Sequence, residues 1–193
     1  MLFKIIAIII LIMFYSVYVT KIILQKRKGI QTDQMAKGNK DKKLLFTETI
    51  MKIATYSVVI VEVLSIIFTS NYNSIVYSII GSLVGILGVI LFVMSVYTMK
   101  DSWRAGIAIN EKTSIVVNGI YSYSRNPAFL GFDLVYIGIL IMFFNIWLLI
   151  FSIFAIMMLH IQILQEEKYL PNIFGNDYID YKKKVQRYIG RKK

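Results

Sequence analysis

The sequence contains no cysteine, one histidine and two prolines in 193 residues. Without cysteine there is no disulfide, no thiolate nucleophile and no cysteine-ligated metal. A single histidine, with no histidine–carboxylate spacing motif, argues against a protein-built zinc site. Charge is absent from long stretches. Hydrophobic residues make up 57% of the chain, above the roughly 45–50% of ordinary soluble domains. They gather into runs of about 20 or more, the length that spans a bilayer as a helix. The formal net charge of +11 raises nucleic acid as a partner. No nucleic-acid-binding motif or aromatic-interleaved basic patch supports one. The basic residues lie instead in loops between apolar runs, as in loops that face anionic lipid.

The first run, 1–24, is too long for the apolar core of a removed signal peptide, and Tyr15 to Tyr18 offer no small-x-small cleavage site. It reads as a retained transmembrane helix. Two further spans follow at 45–69 and 75–99. The last apolar stretch, about 128–164, is too long for one span at about 1.5 Å per residue. Asn145 near its middle splits it into 128–144 and 146–165. The expected fold is all-α: a single membrane domain, 1–193, with five transmembrane helices, the last two a hairpin. In 166–193, Gly175 breaks the pattern. Tyr178, Tyr181, Val185 and Tyr188 then recur at helical spacing among Lys182, Lys183, Lys184 and Arg187. That is a basic amphipathic helix for a membrane interface, placed to cap a pocket under the hairpin.

Loop charge sets the expected orientation. The loop 25–43 carries seven lysines and arginines, 70–74 none, 100–127 four, and the turn at Asn145 none, and the tail is basic. By the positive-inside rule the N-terminus lies outside and the C-terminus in the cytoplasm. Abundant Ile and Lys and the lack of an organelle signal point to a bacterial plasma membrane. The stretch Lys37 to Lys43 is polar and reads as mobile. Gly81 and Gly85 form a small-xxx-small pair for close helix packing. Glu62 is costly against lipid and must face the bundle or a partner.

Arg125-Asn126-Pro127 and Glu166-Glu167 fall on the same side in this topology. Pro127 suits a first helical turn, which puts Asn126 near an N-cap, either as a plain helix start or as a site for a ligand's carboxylate or lone pair. On a helix at about 100° per residue, Gln162 and Glu166 share one face, and His160 and Glu167 share another. A carboxylate there either pairs with a cationic ligand, Arg125 or a loop lysine, or simply ends a helix re-entering water. Asp133, one to two turns past Pro127, reaches the same region.

These residues carry a resemblance. Gly119-Ile-Tyr121, Arg125-Asn126-Pro127-Ala-Phe129, Glu166-Glu167-Lys-Tyr-Leu170, Phe174-Gly175 and Tyr178-Ile-Asp-Tyr181 are similar in order and spacing to the isoprenylcysteine carboxyl methyltransferase family and the related phospholipid methyltransferases. The likeness runs from about Trp103 to Ile189. It implies S-adenosylmethionine as cofactor in a site at the cytoplasmic face, covered by the C-terminal segment, with the loop 100–127 binding it. It implies cofactor contacts from Thr113, Ser114, Ile115 and Val116, then Tyr121, Asn126 and Phe129, with Glu166 near the cofactor's cationic end. It also implies a lipophilic substrate that arrives between helices from the bilayer.

Two departures stand out. Asn126 replaces the histidine of the better-known Arg-His-Pro form. Gln162 stands where the carboxyl methyltransferases carry an arginine, one turn before the glutamate pair. An amine, hydroxyl or other lipid nucleophile is then as fitting an acceptor as a carboxylate. The expected activity is methyl transfer from S-adenosylmethionine to a lipid-like acceptor. Glu167, His160 and Arg125 form the expected catalytic set, and Gln162 and Asp133 face the substrate. The alternatives are an NADPH-dependent membrane reductase of sterol-reductase-like fold, without a Gly-x-Gly-x-x-Gly fingerprint, and a non-enzymatic membrane accessory protein. A transporter would show inverted repeats and broken spans, and neither is evident.

Overall fold

The computed structural model describes residues 1–38, 40–69, 74–107 and 113–192. Five α-helices carry the architecture: α1 Leu2–Arg27, α2 Lys42–Phe68, α3 Ile75–Met99, α4 Pro127–Met142 and α5 Ile146–Lys184. Short 3-10 turns lie at Lys100–Ser102 and Gly119–Ser122. Among the described residues there are no strands, only isolated bridges between Asp33 and Ala105 and between Val185 and Arg191. α1, α2, α3 and α5 are long and apolar enough to cross a membrane, whereas α4 is a shorter apolar helix. Its 16 residues rise about 24 Å, less than the roughly 30 Å hydrocarbon core. Outward faces carry exposed Ile8, Ile12, Ile60, Ile67, Leu83 and Ile90. A surface so apolar is stable only against lipid, and the chain is a multi-pass membrane protein.

Local chemistry sets the helix ends. Asp41 caps α2 by accepting from Leu44 N at 2.7 Å, and Asn145 caps α5 by accepting from Leu148 N at 2.9 Å. Each satisfies a backbone donor that the first turn leaves free. Asn145 also donates to Ser65 Oγ at 2.8 Å, pinning the α4–α5 hairpin to the end of α2. The uncharged loop read at 70–74 lies, apart from Ser74, outside the described residues, as does Lys112 of the following loop.

α3 packs along α4, α2 along α5, and α1 against α3. The α3–α4 contact is backbone to backbone. A Cβ on Gly138 would fall 2.6 Å from Gly85 N and 2.7 Å from Gly81 O, and one on Gly131 would fall 2.9 Å from Gly88 O. The small-residue stripe therefore extends over both helices. Phe14, Phe92, Phe132, Tyr18 and Trp103 interlock in mostly edge-to-face pairs and join α1, α3, α4 and the loop after α3. Glu62 is fully buried in the bundle.

The loops at the basic end are tied together. Buried Gln25 accepts from Thr32 Oγ at 2.6 Å and donates to Trp103 O at 3.2 Å. Ala105 N donates to Thr32 O, and Gln34 N to Ala105 O. Glu48, on the second turn of α2, takes hydrogen bonds from Lys40 Nζ at 2.7 Å, Ala36 N at 2.8 Å and Ile107 N at 3.2 Å. The Lys40 and Glu48 side chains are only 2% and 0% exposed. The stretch read as polar and mobile thus contributes a buried ion pair. Lys40 was not separable by sequence from its lysine neighbours, because its partner lies a helix turn into α2.

The C-terminal region also differs from expectation. α5 runs unbroken past Pro171 to a kink at Gly175, whose φ of 56° and ψ of −134° are open to glycine at little cost. The helix resumes but ends at Lys184, so Tyr188 is not part of it. Tyr178, Tyr181 and Val185 are buried against Ile115, Leu170 and Phe174.

Two outcomes test this packing. Gly138→Ala forces the α3 and α4 backbones apart and costs about 1–3 kcal/mol, read as a lower thermal midpoint in detergent. Glu48→Ala strands a buried lysine and two loop amides. It costs about 3–5 kcal/mol, and proteolysis then cuts the loops at 32–38 and 103–107 faster than in the wild type.

Candidate functional site

The basic end of the bundle holds an apolar cavity of about 330 Å³. Small-molecule sites typically span about 300–1,000 Å³. α1 contributes Tyr15, Tyr18, Val19 and Ile22, α2 contributes Met51, Thr55, Tyr56 and Val59, and α4 contributes Ala128, Phe129, Phe132 and Tyr136. Residues Trp103 to Gly106, with Met35, line it at the loop side, and Leu159 lines it from α5. The ties among Gln25, Thr32, Glu48 and the loops 32–36 and 103–107 hold that side in place.

Two polar clusters sit on different faces of α5. On the α2 side, Gln162 is fully buried and donates to Glu166 Oε1 at 3.1 Å. Gln165 donates to Thr47 Oγ at 2.8 Å. The charges of Glu48 and Lys40 act on Glu166. Burial raises the Glu166 carboxyl pKa to about 7, and the hydrogen bond from Gln162 only partly offsets it. Gln162 Oε1 and Gln165 Oε1 are buried without a hydrogen-bond partner.

On the other face, Arg125 donates to Glu167 Oε1 at 2.6 Å, with both side chains 5% exposed. Arg187 adds two hydrogen bonds to the same carboxylate, at 3.0 and 2.9 Å, and Lys182 lies 3.7 Å away. Three cations thus hold the Glu167 carboxylate. His160 Nδ1 is hydrogen-bonded to the Tyr188 hydroxyl, and the rings stack. Burial, and then the charge of Asp133, push the Tyr188 phenol above its ordinary pKa, so it stays a neutral hydroxyl. Asp133 Oδ1 and Arg125 Nε are buried without partners.

The segment after α5 is a strap across the loop that precedes α4. Tyr181 donates to Tyr121 O at 2.7 Å and Ser124 O at 3.3 Å. Arg125 N donates to Gln186 O, and Gly190 N to Tyr123 O. Asn126 stands at the N-cap of α4, but its side chain does not cap the helix. It donates instead to Arg187 O at 3.1 Å. Both Asn126 and Glu167 therefore hold the strap.

The residues singled out by sequence fall into four places. Arg125, Asn126 and Glu167 come together under the strap, with His160 and Asp133 electrically linked to them through Tyr188. Gln162 and Glu166 meet on the α2 side. Phe129 lines the cavity. Thr113 to Val116 and Tyr121 lie beside the C-terminal half of α5, where Ile115 packs on Tyr178 and Tyr181 and Ser114 meets Ser102 at 3.0 Å. Sequence reasoning did not single out Lys40, Glu48, Arg187 or Tyr188. A glutamate near the start of an apolar run was a usable signal for Glu48. Nothing local distinguished Arg187 and Tyr188 within the basic tail.

Removing the Glu167 charge separates a structural role from a proton-accepting one. Glu167→Gln is expected to lower the thermal midpoint and expose 185–192 to protease with no ligand added. Unchanged stability would mean the carboxylate does not hold the strap.

Part of the chain resembles known proteins. Residues 79–172 match the model of the isoprenylcysteine carboxyl methyltransferase family. The chain is 32% identical over 122 residues to the protein-S-isoprenylcysteine O-methyltransferase of Saccharomyces cerevisiae, an alignment covering 62% of this chain and 51% of that protein. It is 35% identical over 77 residues to the Schizosaccharomyces pombe protein of the same name, covering 39% of this chain and 33% of that one. With the Xenopus laevis protein of that name it shares 30% identity over 112 residues, 56% of this chain and 38% of that one. The matches span about half the length of these relatives or less. Residues 79–172, which take in α4, the hairpin and the polar faces of α5, are thus the part of the chain similar to the isoprenylcysteine carboxyl methyltransferase family.

Proposed function

We propose that this protein transfers a methyl group from S-adenosylmethionine to a lipophilic acceptor at the cytoplasmic face of the membrane. The observation that carries this reading is the apolar cavity. Its wall includes Ala128 and Phe129, just after Arg125-Asn126-Pro127, and Leu159, beside His160 and one turn from Gln162. An acceptor tail in that cavity has its head between the two polar faces of α5. The relatives' name supplies the chemical precedent, a methyl group carried to an isoprenylcysteine.

Unpartnered polar groups at this end of the bundle suit such a cofactor. Asp133 Oδ1, Gln162 Oε1 and Gln165 Oε1 are buried acceptors without partners, and Arg125 Nε is a buried donor without one. Acceptors favour a cationic sulfur and an ammonium group, while a guanidinium N–H favours a carboxylate. When bound, S-adenosylmethionine supplies a methyl group already activated on a cationic sulfur. The residues proposed to hold it are Thr113, Ser114, Ile115, Val116, Tyr121, Asn126 and Phe129, with Glu166 offering negative charge near its cationic end.

The chain's own work is then alignment. Bringing acceptor and donor into line contributes much of the available rate gain, and the cavity and strap supply fixed walls for it. Arg125, held by Glu167, presents its free Nε to an anionic group. A carboxylate acceptor needs no base. A hydroxyl or ammonium acceptor must lose a proton, and His160, coupled to the neutral Tyr188, is the group proposed to take it. Glu167, bound to three cations, acts as a positioning residue.

The test is isothermal titration calorimetry of the full chain in detergent. The wild type is expected to bind S-adenosylmethionine. Glu166→Ala is expected to weaken binding at least tenfold, and Lys183→Ala, on the exposed side of the C-terminal helix, is expected to leave it unchanged. Binding of NADPH in place of S-adenosylmethionine would overturn the reading. Radiolabelled methyl transfer to a prenylated cysteine analogue, compared with transfer to a total lipid extract, identifies the acceptor class.

A further inference from the structure

The foot of the apolar cavity is polar, and its polar groups have no partners. The three helices that wall the cavity agree on its direction. Tyr15 is the lining residue of α1 furthest from its Arg27 end, and Val59 and Tyr136 are the lining residues furthest along α2 and α4 from the loop side. Glu62 follows Val59 by three residues, about one further turn into the bilayer-spanning part of α2. It is fully buried, as is Tyr136. Both Glu62 carboxylate oxygens, the Tyr15 hydroxyl and the Tyr136 hydroxyl are buried without a hydrogen-bond partner. Glu62 lies close enough to interact electrostatically with both tyrosines, and the two phenols lie side by side, close to hydrogen-bonding each other.

Such a group of orphans needs a ligand to be stable. A buried polar atom in a membrane bundle loses water and has no compensating bond unless something else supplies one. Leucine at 62 and phenylalanine at 15 and 136 would fill the same space with no such loss. Tyr15 and Tyr136 face the cavity, so whatever satisfies the cluster arrives through the cavity. The cluster combines a carboxyl with two phenols, which can donate as well as accept. A hydroxyl matches it, since one oxygen can give a hydrogen bond to the carboxyl and take one from a phenol. A plain hydrocarbon end leaves all three groups unpaired.

We propose that Glu62, Tyr15 and Tyr136 form a recognition site for a hydroxyl group at the membrane-buried end of the acceptor's tail, making this cavity selective for a lipid that is polar at both ends. The assignment rests on the reading that the cavity holds the acceptor. It explains why α2 carries a glutamate in its apolar part.

The experiment uses the full-length protein in lipid nanodiscs and a matched probe pair: a saturated fatty acid and its ω-hydroxy counterpart of equal chain length. Both compete against an environment-sensitive fluorescent fatty acid. The ω-hydroxy acid is expected to bind roughly tenfold tighter, the difference one well-placed buried hydrogen bond makes. Glu62→Leu and the Tyr15→Phe/Tyr136→Phe pair are expected to abolish that preference while keeping the affinity for the plain acid. These variants remove orphaned polar groups, a change that is nearly neutral or stabilising for the fold, and thermal unfolding checks it. Equal affinity of the two acids in the wild type overturns the inference and leaves the cavity as a simple tail site. So does a preference that survives Glu62→Leu. Failure of both acids to displace the fluorescent probe overturns the inference together with the assignment of the cavity to the acceptor.

Discussion

A carboxylate can stay buried at the end of a lipid-facing bundle only if other groups gather around it, and the placement of this protein's site follows from that constraint applied twice. Glu48 collects a lysine and two loop amides, which ties 34–40 and 105–107 to α2 at the mouth of the cavity. Glu167 collects Arg125, Arg187 and Lys182, which draws the strap over the loop before α4. Breaking either buried pair leaves an uncompensated charge, a far larger cost than the pair's net gain. The two glutamates thus act as fixed points for segments that have few apolar contacts of their own.

What the sequence reveals about this fold tracks the range of the forces involved. Apolar runs and loop charge act locally, so the helices, the hairpin turned at Asn145 and the all-α class are legible in the pattern alone. The glycine stripe was legible in part. Gly81 and Gly85 have the packing spacing, but their partner Gly138 lies on a helix some fifty residues later and cannot be paired to them by sequence. The bond from Ile107 N to Glu48 spans 59 residues, and that from Asn126 to Arg187 O spans 61. Neither leaves a local trace. The amphipathic reading of the last helix went past Lys184 because Tyr188 continues the spacing. The chain turns away there because Gln186 pairs with Gly190 and Arg125, interactions that spacing does not record.

Adjacent carboxylates on one helix are a problem of repulsion that the helix itself solves. Glu166 and Glu167 point about 100° apart. One therefore enters a region short of positive charge beside Lys40 and Glu48, and the other a region rich in it beside Arg125 and Arg187. That split gives α5 an electrostatic gradient across its width, with the cavity end near Leu159 between the two sides. A ligand carrying a cation at one end and a carboxylate at the other has a preferred direction in such a field, whatever its detailed contacts.

The departure at Gln162 is best understood against this gradient. An arginine there would stand one turn from Glu166, next to the Lys40–Glu48 pair, and would neutralise the side of α5 that is short of positive charge. Glutamine leaves the Glu166 carboxyl without a cation beside it and adds a buried carbonyl oxygen without a partner. An acceptor head on this side then meets acceptor atoms more than donors, which favours a group that brings its own protons or positive charge over a bare carboxylate. A carboxylate head instead finds its donor on the opposite side, at Arg125 Nε. On the proposed reading of the cavity, the position of the acceptor's head relative to α5 decides which nucleophile it serves.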